Sequence, residues 1–202
     1  MFRLLNRRET YAKMKLTILV NDEEILALDR ESWKKREEGY QVEGKYSGLD
    51  VAWYVVDYVK QIEEEITNLQ LQKIIYYIQE TFVKKKGVPL FYTPIEAWKL
   101  GPVVREVYNY YKGFANHSIS DTGTPLENFT EDETDGMNEV VKRLINIDKW
   151  DLVDRTHGVG RKDGVETPWQ RTYQNGLGKS EVIEISTIME FIKEEQRVKK
   201  GT

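Results

Sequence analysis

From residue 50 onward the apolar residues recur at helical spacing. Val51, Val55, Tyr58 and Ile62 fall on one stripe, widened by Ala52, Val56 and Val59, which predicts a helix capped by Asp50 and running to about Glu65. Thr67-Asn68-Leu69-Gln70 has the spacing of a capping box, in which the Thr and Gln side chains each satisfy an amide left free at a helix start. A second helix is expected there, with Leu71, Ile74, Ile75, Ile78 and Phe82 on its core face. Lys84-Lys85-Lys86 gives it a basic last turn that complements the dipole, and Gly87 supplies the closing turn.

Pro89 and Pro94 keep residues 88–98 out of regular helix, while Pro102 suits a first helical turn because its missing amide has no partner there anyway. A third helix is therefore expected from near Pro102 to Lys112. Residues 113–135 are rich in Gly, Asn, Ser, Thr and acids and read as a surface loop, until Thr130-Glu131-Asp132-Glu133 offers another capping box. Met137, Val140, Val141, Leu144 and Ile147 carry a fourth helix to about Trp150. The chain then passes through residues 152–157 into a glycine-rich stretch, 158–164, and Pro168-Trp169 ends that irregular part. A last helix starts near Ser186 with Ile188, Met189, Phe191 and Ile192 inward.

The first fifty residues have a different pattern. Arg3, Arg7, Arg8, Lys13 and Lys15 face only Glu9 in residues 1–15, residues 15–20 read as a short strand, and 22–38 as a charged helix. Gly39, Gly44 and Gly48 mark a linker. The fold class predicted is mainly α: a compact multi-helix domain over residues 49–198, preceded by a short α/β extension, residues 1–48, with few short strands.

With 202 residues, 40% hydrophobic and 32% charged, the chain can bury an ordinary core under a densely charged surface. The net charge of −4 gives no general reason to expect nucleic acid as a partner. Cysteine is absent, which removes disulfides and thiolate chemistry and fits a reducing compartment, so the cytoplasm is the expected location. No segment is long and apolar enough to span a bilayer, and no membrane partner is expected.

Candidate chemistry is thin. A metal site needs His157 with carboxylates such as Asp151, Asp154 and Asp163, a spacing that fits no ligand motif. His157 beside Thr156 could serve as a general base oriented by Asp154, but no glycine-flanked nucleophile accompanies it, and local packing near Trp169 explains it better. Residues 158–164 hold glycines and the cations Arg161 and Lys162 without Walker spacing, so a mobile surface loop is the better reading than a phosphate cradle. No cofactor and no metal are expected, and the chain reads as an interaction domain, not an enzyme.

Three blocks, Leu69-Gln70-Leu71-Gln72-Lys73-Ile74-Ile75-Tyr76-Tyr77, residues 94–108 from Pro94 to Tyr108, and Thr156-His157 followed by Pro168-Trp169, occur in the order seen in the Panacea domain. The chain resembles this family, also called SocA-like or GepA-like phage-associated proteins, from about Leu49 to Phe191. The resemblance implies a helical antitoxin of a phage- or prophage-associated toxin–antitoxin pair that neutralises a cognate toxin, encoded by the adjacent gene, through direct protein–protein binding. A proteolytic adaptor that delivers the toxin to a protease, or a DNA-binding regulator using the basic first segment, are the alternatives. Homo- or hetero-oligomers are both compatible with it. The chain departs from the family in its fifty extra N-terminal residues, a candidate partner-selecting segment, and in residues 158–167, which separate the last two motif halves.

The polar flanks of the blocks, Gln72, Lys73, Tyr76, Lys99, Arg105 and Glu106, are the candidate partner-binding residues. Trp98, Gly101, Pro102, His157 and Trp169 are expected to hold the structure.

Overall fold

Side-chain caps open most of the helices. The structure, a computed structural model, describes residues 44–121, 123 and 128–201, and these lie in one compact unit, Glu43–Thr202. Helix α1, Gly48–Gln61, is capped by Ser47, whose hydroxyl accepts from the Asp50 amide. Asp50 is thus buried inside the first turn and is not itself the cap. The helix stops at Gln61, short of Glu65, and Glu63 turns the chain with a left-handed φ of 58°. Helix α2, Asn68–Lys86, has the expected Thr67–Gln70 capping box and closes on Gly87 in left-handed conformation.

The expected third helix is corrected at its start. Gly101 and Pro102 belong to a strand: β1, Glu96–Trp98, pairs antiparallel with β2, Gly101–Val103, with Ala97 opposite Pro102. Helix α3 begins only at Arg105 and covers Arg105–Tyr111. A proline fits this strand because the Ala97 N–H and C=O point away from it, bonding Glu181 O and Ser180 N at 2.8 and 2.7 Å. The ladder therefore asks for no amide at Pro102.

Helix α4, Glu131–Leu144, starts at the expected Thr130–Glu133 box but ends before Trp150. A separate α5, Lys149–Thr156, follows behind an Asp148 cap, so most of residues 152–157 are helical. Helix α6, Pro168–Tyr173, has its own box, Thr167 with Gln170, and Pro168 in its first turn. Helix α7, Ile185–Gly201, completes the chain. The expected strand at 15–20, the helix at 22–38 and the basic residues 1–15 lie outside the described residues.

Helix α2 runs through the middle and touches α1, α3, α4, α5, α7 and β2. Its Leu71, Ile74, Ile75, Ile78 and Phe82 join Val55, Met137, Val140, Val141, Leu152 and Ile188 in one core. Tyr46, 1% exposed, belongs to this core too, packing its ring 4.3 Å from that of Phe129. Among the described residues the fold is mainly α, with seven α-helices and one two-stranded sheet.

Candidate partner-binding face

A central helix with polar residues on its buried sides needs a reason, since a buried polar group without a partner costs about 1–3 kcal/mol. In α2 the reason is irregular backbone. The chain between α2 and α3 has few strand partners, and α2 side chains replace them. Gln79 accepts from the amides of Leu90 and Phe91 and donates to Phe91 O. Gln72 accepts from Val104 N at 2.9 Å, and Lys73 Nζ donates to Pro102 O at 2.8 Å. The inner edge of β2 is thereby capped by two side chains.

Lys73 has no solvent exposure, and no carboxylate pairs with it among the described residues. Burial lowers its pKa to about 7. Above it sits Gly101, at φ +99°, where a Cβ would lie 2.6 Å from Thr156 Oγ1 and 2.8 Å from Lys73 Cε. Only glycine allows this approach.

Further along α2, burial raises the Glu80 carboxyl to about 7, reinforced by Glu195 and opposed by the hydrogen bond from Tyr76 and by Lys84 and Arg161. Burial likewise drives the Tyr76 phenol well above its ordinary range.

Gln72, Lys73 and Tyr76, at 2%, 0% and 2% exposure, therefore cannot present themselves to a partner on this surface. Their place in the sequence looks like a polar flank; in space they are the scaffold of the hairpin. The other three candidates, Lys99, Arg105 and Glu106, are exposed. Glu106 is engaged locally, accepting from Thr93 Oγ1 at 2.9 Å and Leu49 N at 3.2 Å.

Arg105 builds the outer face. Its guanidinium donates to both Glu96 oxygens at 2.7 and 2.5 Å and lies 5.3 Å from the Trp98 ring centre. Trp98 Nε1 also donates to Glu96 Oε2. Burial works to raise the Glu96 carboxyl, but the bonds from Arg105 and Trp98 outweigh it and hold it below its usual range. Trp98 meets the Tyr108 ring at 4.9 Å. Val107 and Tyr111 fix α3 to the core, which leaves Arg105, Tyr108 and Asn109 outward. Leu100, 42% exposed, extends this apolar surface at the hairpin turn. From behind, Trp169 Nε1 donates to Trp98 O at 2.8 Å, so the hairpin is held on both sides.

Sequence reading missed Tyr108 and Leu100 as surface residues. The signal for Tyr108 was present: Val107 and Tyr111 are four apart and define the inner side of a short helix.

The His157 ring lies flat on Trp169 at 3.8 Å and 9°, and Trp169 lies on Tyr173 at 4.6 Å. Burial and the nearby Lys73 charge lower the His157 pKa against the opposing pull of Asp154, and its Nε2 is buried without a partner among the described residues. Thr156 Oγ1 donates to Val153 O, so its proton is already engaged. No group of three or more His, Asp or Glu side chains converges as a metal site among the described residues.

The glycine-rich residues 158–164 are anchored as well. Arg161 pairs with Asp163 and, at 3.0 Å, with Glu195 on α7, and lies 5.0 Å from the Phe191 ring centre. That cation is taken up by two carboxylates, which ties this surface segment to α7 and engages the guanidinium that a phosphate would need. No helix among the described residues is long and apolar enough to cross a membrane.

Comparison with known proteins gives a match over the same central region. Residues 71–160 match the family described as antitoxin SocA-like, Panacea domain. Over 61 residues the chain is 39% identical to a protein named Antitoxin SocA from Caulobacter vibrioides (strain NA1000 / CB15N), an alignment covering 30% of this chain and 32% of that relative. The matched part is thus about a third of the relative's length. No solved structure matches the chain at a significant level. The α2-to-α5 region, with the hairpin it scaffolds, is thus the part of the chain that is similar to the SocA-like Panacea domain.

Proposed function

We propose that this chain is the antitoxin of a toxin–antitoxin pair and that it neutralises a cognate protein toxin by binding it directly through the outer face of the β1–β2 hairpin and α3. The observation that carries this reading is the Trp98–Arg105–Tyr108 cluster, in which Arg105 and Tyr108 are exposed on α3 and the half-buried Trp98 stands on a hairpin whose back is fixed by Gln72, Lys73 and Trp169. Tryptophan, tyrosine and arginine are the residues that concentrate binding energy at interfaces, and a rigid support lowers the ordering cost of binding. The SocA relative is named an antitoxin, which supports a toxin as the class of partner.

Neutralisation in this reading is by masking and involves no chemistry on the toxin. An interface of about 800 Å² per partner would cover the hairpin and α3 together with their surroundings. Residues 1–48 add a second contact that selects the toxin. Truncations that probe it should stop before Gly44, because Tyr46 fills the core and Ser47 caps α1.

Co-expression with the product of the adjacent gene tests the reading. Direct neutralisation predicts restored growth and co-purification of the two proteins at high salt. Rescue without a complex, or an adjacent product that is harmless alone, contradicts it.

A further inference from the structure

Beside the two-stranded hairpin an extended segment forms one further antiparallel bridge, and its outer side is open. Residues 180–183 run antiparallel to β1: Ser180 N bonds Ala97 O, Ala97 N bonds Glu181 O, and Ile183 N bonds Ile95 O at 2.8 Å. Val182 pairs with Glu96 between these bonds. In an antiparallel ladder the residue at such a wide pair turns its own N–H and C=O to the opposite side. The Val182 N–H and C=O therefore point outward, and neither has a hydrogen-bond partner among the described residues. Val182 is 40% exposed, as are in kind its neighbours Glu181 and Glu184.

The two faces of this edge differ in what they offer. Directly opposed residues share a face, so the Val182 side chain stands on the side of Glu96, and with it of Trp98 and Arg105. Ile183 points the other way and is buried. Glu181 and Glu184 flank Val182, and neither has a cation paired with it among the described residues.

We propose that the edge at residues 180–184 is a strand-addition site that takes an extended segment of the partner protein, with an apolar residue set beside Val182 and basic residues beside Glu181 and Glu184. The incoming residue opposite Val182 exchanges two main-chain hydrogen bonds with it. Its side chain lies on the Trp98 surface, so main-chain pairing and the aromatic cluster act on one ligand. The acidic flanks select the charge of the segment and disfavour a second acidic edge of the same kind. This inference rests on the direct-binding reading above and adds to it the conformation and charge of the segment bound.

Val182→Pro is a discriminating variant, because it deletes an outward amide that makes no bond among the described residues and leaves the bonds of Ser180, Glu181 and Ile183 in place. Binding of the purified adjacent-gene product is measured by titration calorimetry for the wild type, Val182→Pro and Val182→Thr. The expected result is at least a tenfold loss for Val182→Pro with Val182→Thr near wild type. In the wild type, amide hydrogen exchange at Val182 should also slow at least tenfold in the complex, a readout that holds even where the proline variant folds poorly. Wild-type binding with unchanged Val182 exchange, or full affinity in a folded Val182→Pro, overturns the strand-addition site alone. No binding by the wild type overturns the direct-binding reading and this inference with it.

Discussion

Lys73→Met removes a buried amine while keeping an unbranched side chain of similar length, and so isolates what burying that amine does. In the folded protein Lys73 is fully enclosed and its pKa falls from 10.5 to about 7. Between those two values the unfolded chain holds the proton and the folded chain does not. Stability therefore rises with pH across this window, and the full burial penalty is present at pH values below about 7. At ~1.4 kcal/mol per pH unit, raising the pH from 7 to 9.5 should stabilise the wild type by about 3 kcal/mol from this group. Urea unfolding followed by circular dichroism at the two pH values should show it as a midpoint higher by about 1–3 M. Lys73→Met has no titrating group and so no slope from this site: the Pro102 carbonyl loses its donor, a cost of about 1–3 kcal/mol that does not vary with pH, while the burial penalty of the amine disappears, so the variant gains on the wild type as the pH falls. Parallel pH dependence in the two proteins over this range would refute the claim that Lys73 is buried without a counter-charge.

Glu80 has the opposite sign: its folded pKa of about 7 lies above the ordinary carboxyl value of 4.5, so the stability it contributes is present below pH 4.5 and lost as the pH rises to 7. Glu80→Gln should flatten the acid side of the stability curve by about 3 kcal/mol, measured by the same urea titrations. Gly101→Ala should destabilise by about 2–4 kcal/mol, since it adds positive-φ strain to a clash with Thr156 and Lys73, while Gly160→Ala, with open space around it, should cost about 1 kcal/mol; thermal melts separate the two. Arg161→Ala should release residues 158–164 from α7, seen as faster amide exchange and proteolysis in that segment with the α2 core unchanged.

Capping chemistry made much of the fold legible. Thr67–Gln70 and Thr130–Glu133 mark their helix starts because the box needs only local residues, and the same signal at Thr167–Gln170 was there to be read. Pro102 misled for a physical reason: a proline tolerates both a first helical turn and a strand position that needs no amide, and which applies depends on Ala97 turning its bonds toward residues 180–181, some eighty positions away. The candidate site was half legible. Arg105 and Lys99 are exposed as local pattern suggests, but Gln72 and Lys73 look like surface residues until the backbone they satisfy, at Val104 and Pro102, is placed against them. Long-range backbone bonding of this kind has no signature in sequence spacing.

The central claim, that the hairpin–α3 face binds the cognate toxin, is tested most directly by the affinity of the purified adjacent-gene product for the Arg105→Ala/Tyr108→Ala double variant. Thermal melting first establishes that the variant keeps its fold. The account predicts an affinity loss of about 100-fold or more, with Lys142→Ala/Arg143→Ala, exposed on α4, unchanged from wild type. Equal affinity for the wild type and the folded Arg105→Ala/Tyr108→Ala variant would contradict it.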